Sequence, residues 1–205
     1  MISGAFKIPT VIYYDREGKI CAVGAEATRE GMLQAAEDGQ WSKAEWSVHF
    51  QSIRILIILF LRFKLHLRSK FGEGRNIISH IPPLPPNKVV VQVFADFLAY
   101  MLKCASSYIQ DTHANGHRLW DSVKNDIHYI LSHPNGWEGT EQNQMRRAAV
   151  LAGLIPDTPA GHSLVDFVTE GEASLHFVIQ NGVLADGLQV CLLFSDTKHP
   201  NASSS

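Results

Sequence analysis

Cysteine is scarce. The 205 residues contain three, Cys21, Cys104 and Cys191, far apart and odd in number. They form neither a disulfide framework nor a thiolate metal motif, and a reducing, cytoplasmic setting is the simplest expectation. Charge is also sparse: charged residues make up 19%, the net charge is −2, and no basic run exceeds Arg146-Arg147. Binding to nucleic acid or to a lipid surface through bulk charge is therefore not expected. The longest strongly apolar run, Ile55 to Leu61, is bounded by Arg54 and Arg62. A membrane span needs roughly 20 residues, so no membrane partner is expected from this run. Met1 to Ala5 has no charged and apolar sequence of the secretory kind. The sequence has no Walker-type loop, no GxGxxG, no GxSxG and no HExxH. His113 and His117 are four apart, but Asn115-Gly116 between them reads as a loop, so they are expected to be solvated side chains.

What is present is enough apolar material, 45% of residues, to bury a core. Lys7 to Tyr14 reads as a β-strand, Asp15 to Gly18 as a turn and Lys19 to Val23 as a second strand. Gly24 to Gly39 reads as a helix, with Met32, Leu33 and Ala36 at helical spacing. Ile81 to Pro86 is stiff and extended. It is either a connector or, in its Pro82 to Pro86 part, a ligand for an SH3 or WW groove. Lys88 to Thr112 has the clearest helical period, with Val90, Phe94, Phe97, Met101, Ala105 and Tyr108 forming an expected core stripe. Asp126 to Leu131 reads as a strand broken by Pro134-Asn135-Gly136. Thr140 is placed to cap a helix from Glu141 to Ala152, with Gly153 as its stop and Met145, Ala148, Ala149 and Ala152 buried. Leu164 to Val168 reads as a strand, and Gly171 to Ile179 as a tightly packed helix containing Leu175. The class is α/β, ending in β-α-β-α order.

Two local groups suit chemistry. Leu131 to Trp137 places a Pro-Asn-Gly turn where a strand ends, and open α/β sheets bind ligands at such strand ends. The alternative is an ordinary connection. Val168 to Ala173 puts Glu170 and Glu172 at the start of a helix. There they either cap it and complement its dipole or hold Mg²⁺ directly or through water.

These stretches also carry a resemblance. Ile130-Leu131-Ser132-His133-Pro134-Asn135-Gly136-Trp137, then Gln144 to Ile155, then Phe167 to Leu175, resemble in order and spacing the actin-like ATPase domain of divergent, fungal-type 70-kDa heat-shock (DnaK-type) chaperones. The family has a "VPAYF" strand end, an "R…AG" helix and an "NEPTAAA" turn. Lys7 to Val11 and Val23 to Ala27 resemble its "PS-x-V…G-x-A-A" segment. The resemblance implies a partial actin-like (ribonuclease H-like) ATPase domain, a mixed sheet with flanking helices, over 1–46 and 63–182. It implies ATP and Mg²⁺ as cofactors, with Glu170 near the Mg²⁺ through water and Pro134 and Arg146 in the nucleotide-linked switch. Lys64 is placed to match the family's catalytic lysine. In the family such groups act by positioning and charge stabilisation in phosphoryl transfer.

The departures are as informative. The family's two phosphate-holding loops, "D-x-G-T-T" and "D-x-G-G-G-T", have no counterpart in this sequence. Nucleotide binding and hydrolysis by this chain alone are therefore expected to be impaired. Residues 47–62 interrupt a junction that in the family runs from Ala44-Glu45-Trp46 straight into Phe63-Lys64-Leu65, as a short retained intron would. Residues 183–205 diverge and are expected to form a disordered tail. The alternatives are an interaction module that binds protein partners through Pro82 to Pro86 and apolar surfaces, or a non-functional gene product.

Overall fold

The computed structural model describes residues 8–45, 67 and 83–180. The Lys64 position, the 47–62 segment, Pro82 and the 183–205 tail lie outside the described residues. The architecture is mixed α/β and divides into two compact units. One contains the residues up to Tyr129 and Trp137–Val165; the other contains Ile130–Gly136 and the residues from Asp166 onward.

The first unit opens with strand β1 (Val11–Tyr14), the turn at 15–18 and strand β2 (Ile20–Val23). Asp15 tightens that turn, its carboxylate accepting from the amides of Glu17 and Lys19 at 2.9 and 2.8 Å. Strand β3 (Ser42–Glu45) takes the other edge of β1, giving an antiparallel sheet in the order β2-β1-β3. Its polar Ser-Lys-Ala-Glu sequence gives little strand signal. Pairing with β1 supplies the backbone bonds, and Ala44 is its buried residue.

All four residues of β1 are buried. Alternation sends Val11 and Tyr13 to one face, where they cluster with Ala22, Ala27, Ala36, Met32 and Trp41. Ile12 and Tyr14 occupy the other face. The helix expected over 24–39 divides into a 3₁₀ turn (Glu26–Thr28) and helix α1 (Met32–Asp38). Gly31, at φ +79°, separates them, because a left-handed residue cannot continue a right-handed helix. Leu33 is exposed and Ala36 is buried.

Pro85 is buried, and its carbonyl accepts from the Lys88 amide at 3.2 Å. The Pro86 carbonyl lies against Gly18 in the first turn. These contacts seat Pro85-Pro86 against the sheet's turn. Helix α2 (Val90–Thr112) follows, its start tied by the Gln92 side chain accepting from the Val89 amide at 2.9 Å. It is long and apolar enough to cross a membrane by length and composition alone. Of the expected core stripe only Phe94 is buried, flanked by Val93 and Ala95, which lay outside it, while Val90 and Phe97 are half-buried. It fails further along: Met101, Ala105 and Tyr108 are exposed, Tyr108 at 66%. The correction has a simple cause: a stripe is buried only as far as neighbouring elements cover it.

Helix α3 (Gly116–Val123) packs back on α2, and so does helix α4 (Gly139–Leu151). Met145, Ala148 and Ala149 are buried as expected, while Ala152 is half-buried. Glu138, not Thr140, is the capping residue, and the Glu141 carboxylate accepts from its amide at 3.4 Å. Gly153, at φ +74°, ends α4, with the Leu154 amide bonded to the Ala149 carbonyl at 3.0 Å. That six-to-one bond past a left-handed glycine is a Schellman closure. Thr158 caps the short helix α5 (Pro159–His162), accepting from the Gly161 amide at 3.0 Å.

The second unit is built on strands β4 (Tyr129–His133) and β5 (Val165–Thr169), which pair as a two-stranded sheet with one end residue each in the first unit. β4 begins three residues later than expected. Helix α6 (Glu170–Gln180) follows β5 directly. The tight packing expected around Leu175 is not found: Leu175 is 53% exposed and Phe177 65%.

Candidate functional site

Three polar constellations stand out, each within one unit. The first is at the end of the β4–β5 pair. The backbone leaves β4 at His133, which is buried and stands 6.0 Å, ring to ring, from Phe167 of β5. The His133 Nδ1 donates to the Pro134 carbonyl at 2.9 Å, fixing the ring's direction as the chain turns. Asn135 then lies against Gly171: a β-carbon at 171 would come within 3.2 Å of its side-chain oxygen. The turn carrying Pro134 and the helix start carrying Glu170 thus meet at one sheet end.

At that helix start Thr169 and Glu172 cap each other. The Glu172 carboxylate accepts from the Thr169 amide at 3.0 Å and from its hydroxyl at 3.1 Å, and the Thr169 hydroxyl accepts from the Glu172 amide at 3.1 Å. The [ST]-x-x-E spacing is that of a capping box. Bonding to the Thr169 amide, then to its hydroxyl, holds the Glu172 carboxyl below its usual range. Of the two uses open to this pair of carboxylates, Glu172 serves the cap. Glu170 is the first residue of α6 and is exposed at the carboxyl end of β5. Among the described residues, no group of three potential ligands is gathered for a metal ion. His113 and His117 are both exposed.

The second constellation is a cleft of about 420 Å³ on the first unit, lined by Asn143, Arg146, Arg147, Val150, Asp157 and His162. The first four recur at helical spacing along α4; the last two come from the turn and short helix beyond it. Arg146 is held in place: Nε donates to the His162 carbonyl at 3.3 Å, Nη2 to the Val165 carbonyl at 3.4 Å and Nη1 to Asn143 Oδ1 at 3.4 Å. His162 Nε2 lies 2.9 Å from Asp157 Oδ1. Arg147 is exposed and enters no ion pair among the described residues. Of the residues singled out from sequence, Arg146 sits here, whereas Pro134 and Glu170 belong to the second unit. Arg147, Asp157 and His162 were not singled out. The cue in sequence was the polar recurrence at 143, 146 and 147; Asp157 and His162 gave none.

The third constellation fastens the sheet to α2. The Tyr14 hydroxyl donates to Asp96 Oδ2 at 2.9 Å, and Lys88 Nζ reaches the same oxygen at 2.7 Å. Lys88 Nζ also lies 5.0 Å from the centre of the Tyr14 ring. Burial, then the Asp96 charge and hydrogen bond, push the Tyr14 phenol well above its ordinary value, so it stays neutral. A fully buried phenol paired in this way is a structural fastener: it offers no face to a ligand.

No family model, curated protein or solved structure matches the chain.

Proposed function

We propose that this chain is a fragment of a DnaK-type, actin-like ATPase domain, in which the β4–β5 end corresponds to part of the nucleotide-facing edge. One observation carries the reading: β5 runs directly into α6 at Glu170, beside the Pro134–Gly136 turn that closes β4. Two neighbouring strand ends, one opening a helix at the exposed residue Glu170, form the kind of edge at which α/β sheets take phosphate ligands. In this reading Glu170 reaches Mg²⁺ through water, with nucleotide phosphates completing the ion's shell. Among the described residues no closed metal site is gathered, and an exposed Glu170 suits that outer role. Pro134 and Arg146 then belong to the nucleotide-linked switch, and Lys64 to the γ-phosphate side. Neither phosphate loop of the family occurs in the 205 residues. Each charge-assisted phosphate contact is worth about 1.5–3 kcal/mol, so losing several removes most affinity for ATP. The proposed setting is cytoplasmic and chaperone-like.

Thermal unfolding of the chain with and without Mg-ATP tests the impairment. A single cooperative transition unmoved by nucleotide is expected. A rise that Glu170→Ala abolishes would mean that a working nucleotide site survives without those loops.

A further inference from the structure

We propose that the α4 cleft is a binding site for a small organic oxyanion, a carboxylate or a phosphate ester, distinct from the β4–β5 end. The cleft brings two guanidinium groups and an imidazole together with one carboxylate. That carboxylate, Asp157, is paired with His162 at 2.9 Å. Two of the groups that hold Arg146, the His162 and Val165 carbonyls, are neutral. They also fix the plane of the group before any ligand arrives, which lowers the ordering cost of binding. Arg147 supplies the adaptable contact: an exposed fork of N–H donors, free of ion pairs among the described residues, matched in shape to the paired oxygens of a carboxylate or phosphate. Asn143 adds a neutral amide and Val150 a small apolar surface. At about 420 Å³ the cleft exceeds the size of a bare inorganic ion and suits an anion with an organic body.

The test is an amide NMR titration of the full chain with glutarate and, separately, with phosphoserine, without Mg²⁺ and at constant ionic strength. Saturable shifts centred on Asn143, Arg147, Val150 and His162 are expected. Arg147→Ala should weaken binding by at least about tenfold, the loss of one charge-assisted fork. Arg147→Lys, which keeps charge but not the fork, should lie between. The tighter of the two probes names the ligand class. A titration without saturable shifts, shifts centred on Thr169 to Glu172, or an affinity unchanged in Arg147→Ala would each overturn the proposal. Arg147 is exposed, and a native amide spectrum of each variant confirms that binding rather than folding was altered. The readout is separate from the Glu170 site, so either reading can fail without the other.

Discussion

The two strand systems meet opposite fates. β1, the central strand of its sheet, buries every residue, with partners on both faces: the Tyr13–Trp41 cluster on one and the Tyr14–Asp96–Lys88 fastener on the other. β4 and β5 are paired just as directly, yet Ile130 is 71% exposed and the helix that follows β5 shows Leu175, Phe177 and Ile179 to solvent. The difference lies in coverage. A sheet face becomes core only when another layer lies on it. The first unit supplies its own layers, whereas the second orders its polar ends and leaves apolar surface uncovered. Exposed apolar surface beside open strands is what part of a larger sheet would present, which accords with the proposed fragment.

The sharpest way to break this comparison is truncation in each unit. Tyr14→Ala should destabilise the first unit by about 3–5 kcal/mol in chemical denaturation, the usual loss for a large buried ring. Leu175→Ala should cost less than about 0.5 kcal/mol. Equal costs would mean that α6 is packed after all. Next comes Gly24→Ala: Gly24 has φ +61°, and a β-carbon there would collide with the Tyr100 ring. A loss of about 1–3 kcal/mol is expected, read as a drop in denaturation midpoint. Tyr14→Phe removes the hydroxyl alone and should cost about 1 kcal/mol, leaving Asp96 with Lys88.

The smallest effect concerns the second unit's cap. The Glu172 carboxyl is depressed in the folded chain, so its contribution is present above the ordinary carboxyl value and is lost as pH falls through the lower folded value. Thr169→Ala removes the hydroxyl but keeps the amide, so it should return the Glu172 titration, followed by carbon-detected NMR, part of the way toward the ordinary range. An unchanged titration would mean that the hydroxyl has no share in holding the carboxyl down.

Legibility in the sequence followed the same divide. β1, the buried face of α4 and the Gly153 stop were readable because local pattern and final packing agree there, whereas the α2 period gave the helix but not its burial. β3 was not, since Ser-Lys-Ala-Glu becomes a strand through the open edge of β1 rather than through its own preference. The exposure of Met101 and Tyr108 was hidden because periodicity marks which side of a helix is apolar, not how far a neighbour extends along it. The fastener joins residues 82 positions apart, beyond any local signal. The Pro134 and Glu170 strand ends were visible from turn and helix-start chemistry. Arg146 was singled out by resemblance alone, and its cleft partners Asp157 and His162 come from the turn and short helix after α4, whose placement no spacing announces.

The most direct test of the central claim is to supply what the sequence lacks. The two phosphate loops of a DnaK-type ATPase domain would be grafted, each with its strand, before Lys7 and after Gly182, and thermal unfolding followed with and without Mg-ATP. The account predicts a nucleotide-dependent rise in Tm that Glu170→Ala removes. A well-folded graft without such a rise, or with a rise indifferent to Glu170, would contradict it.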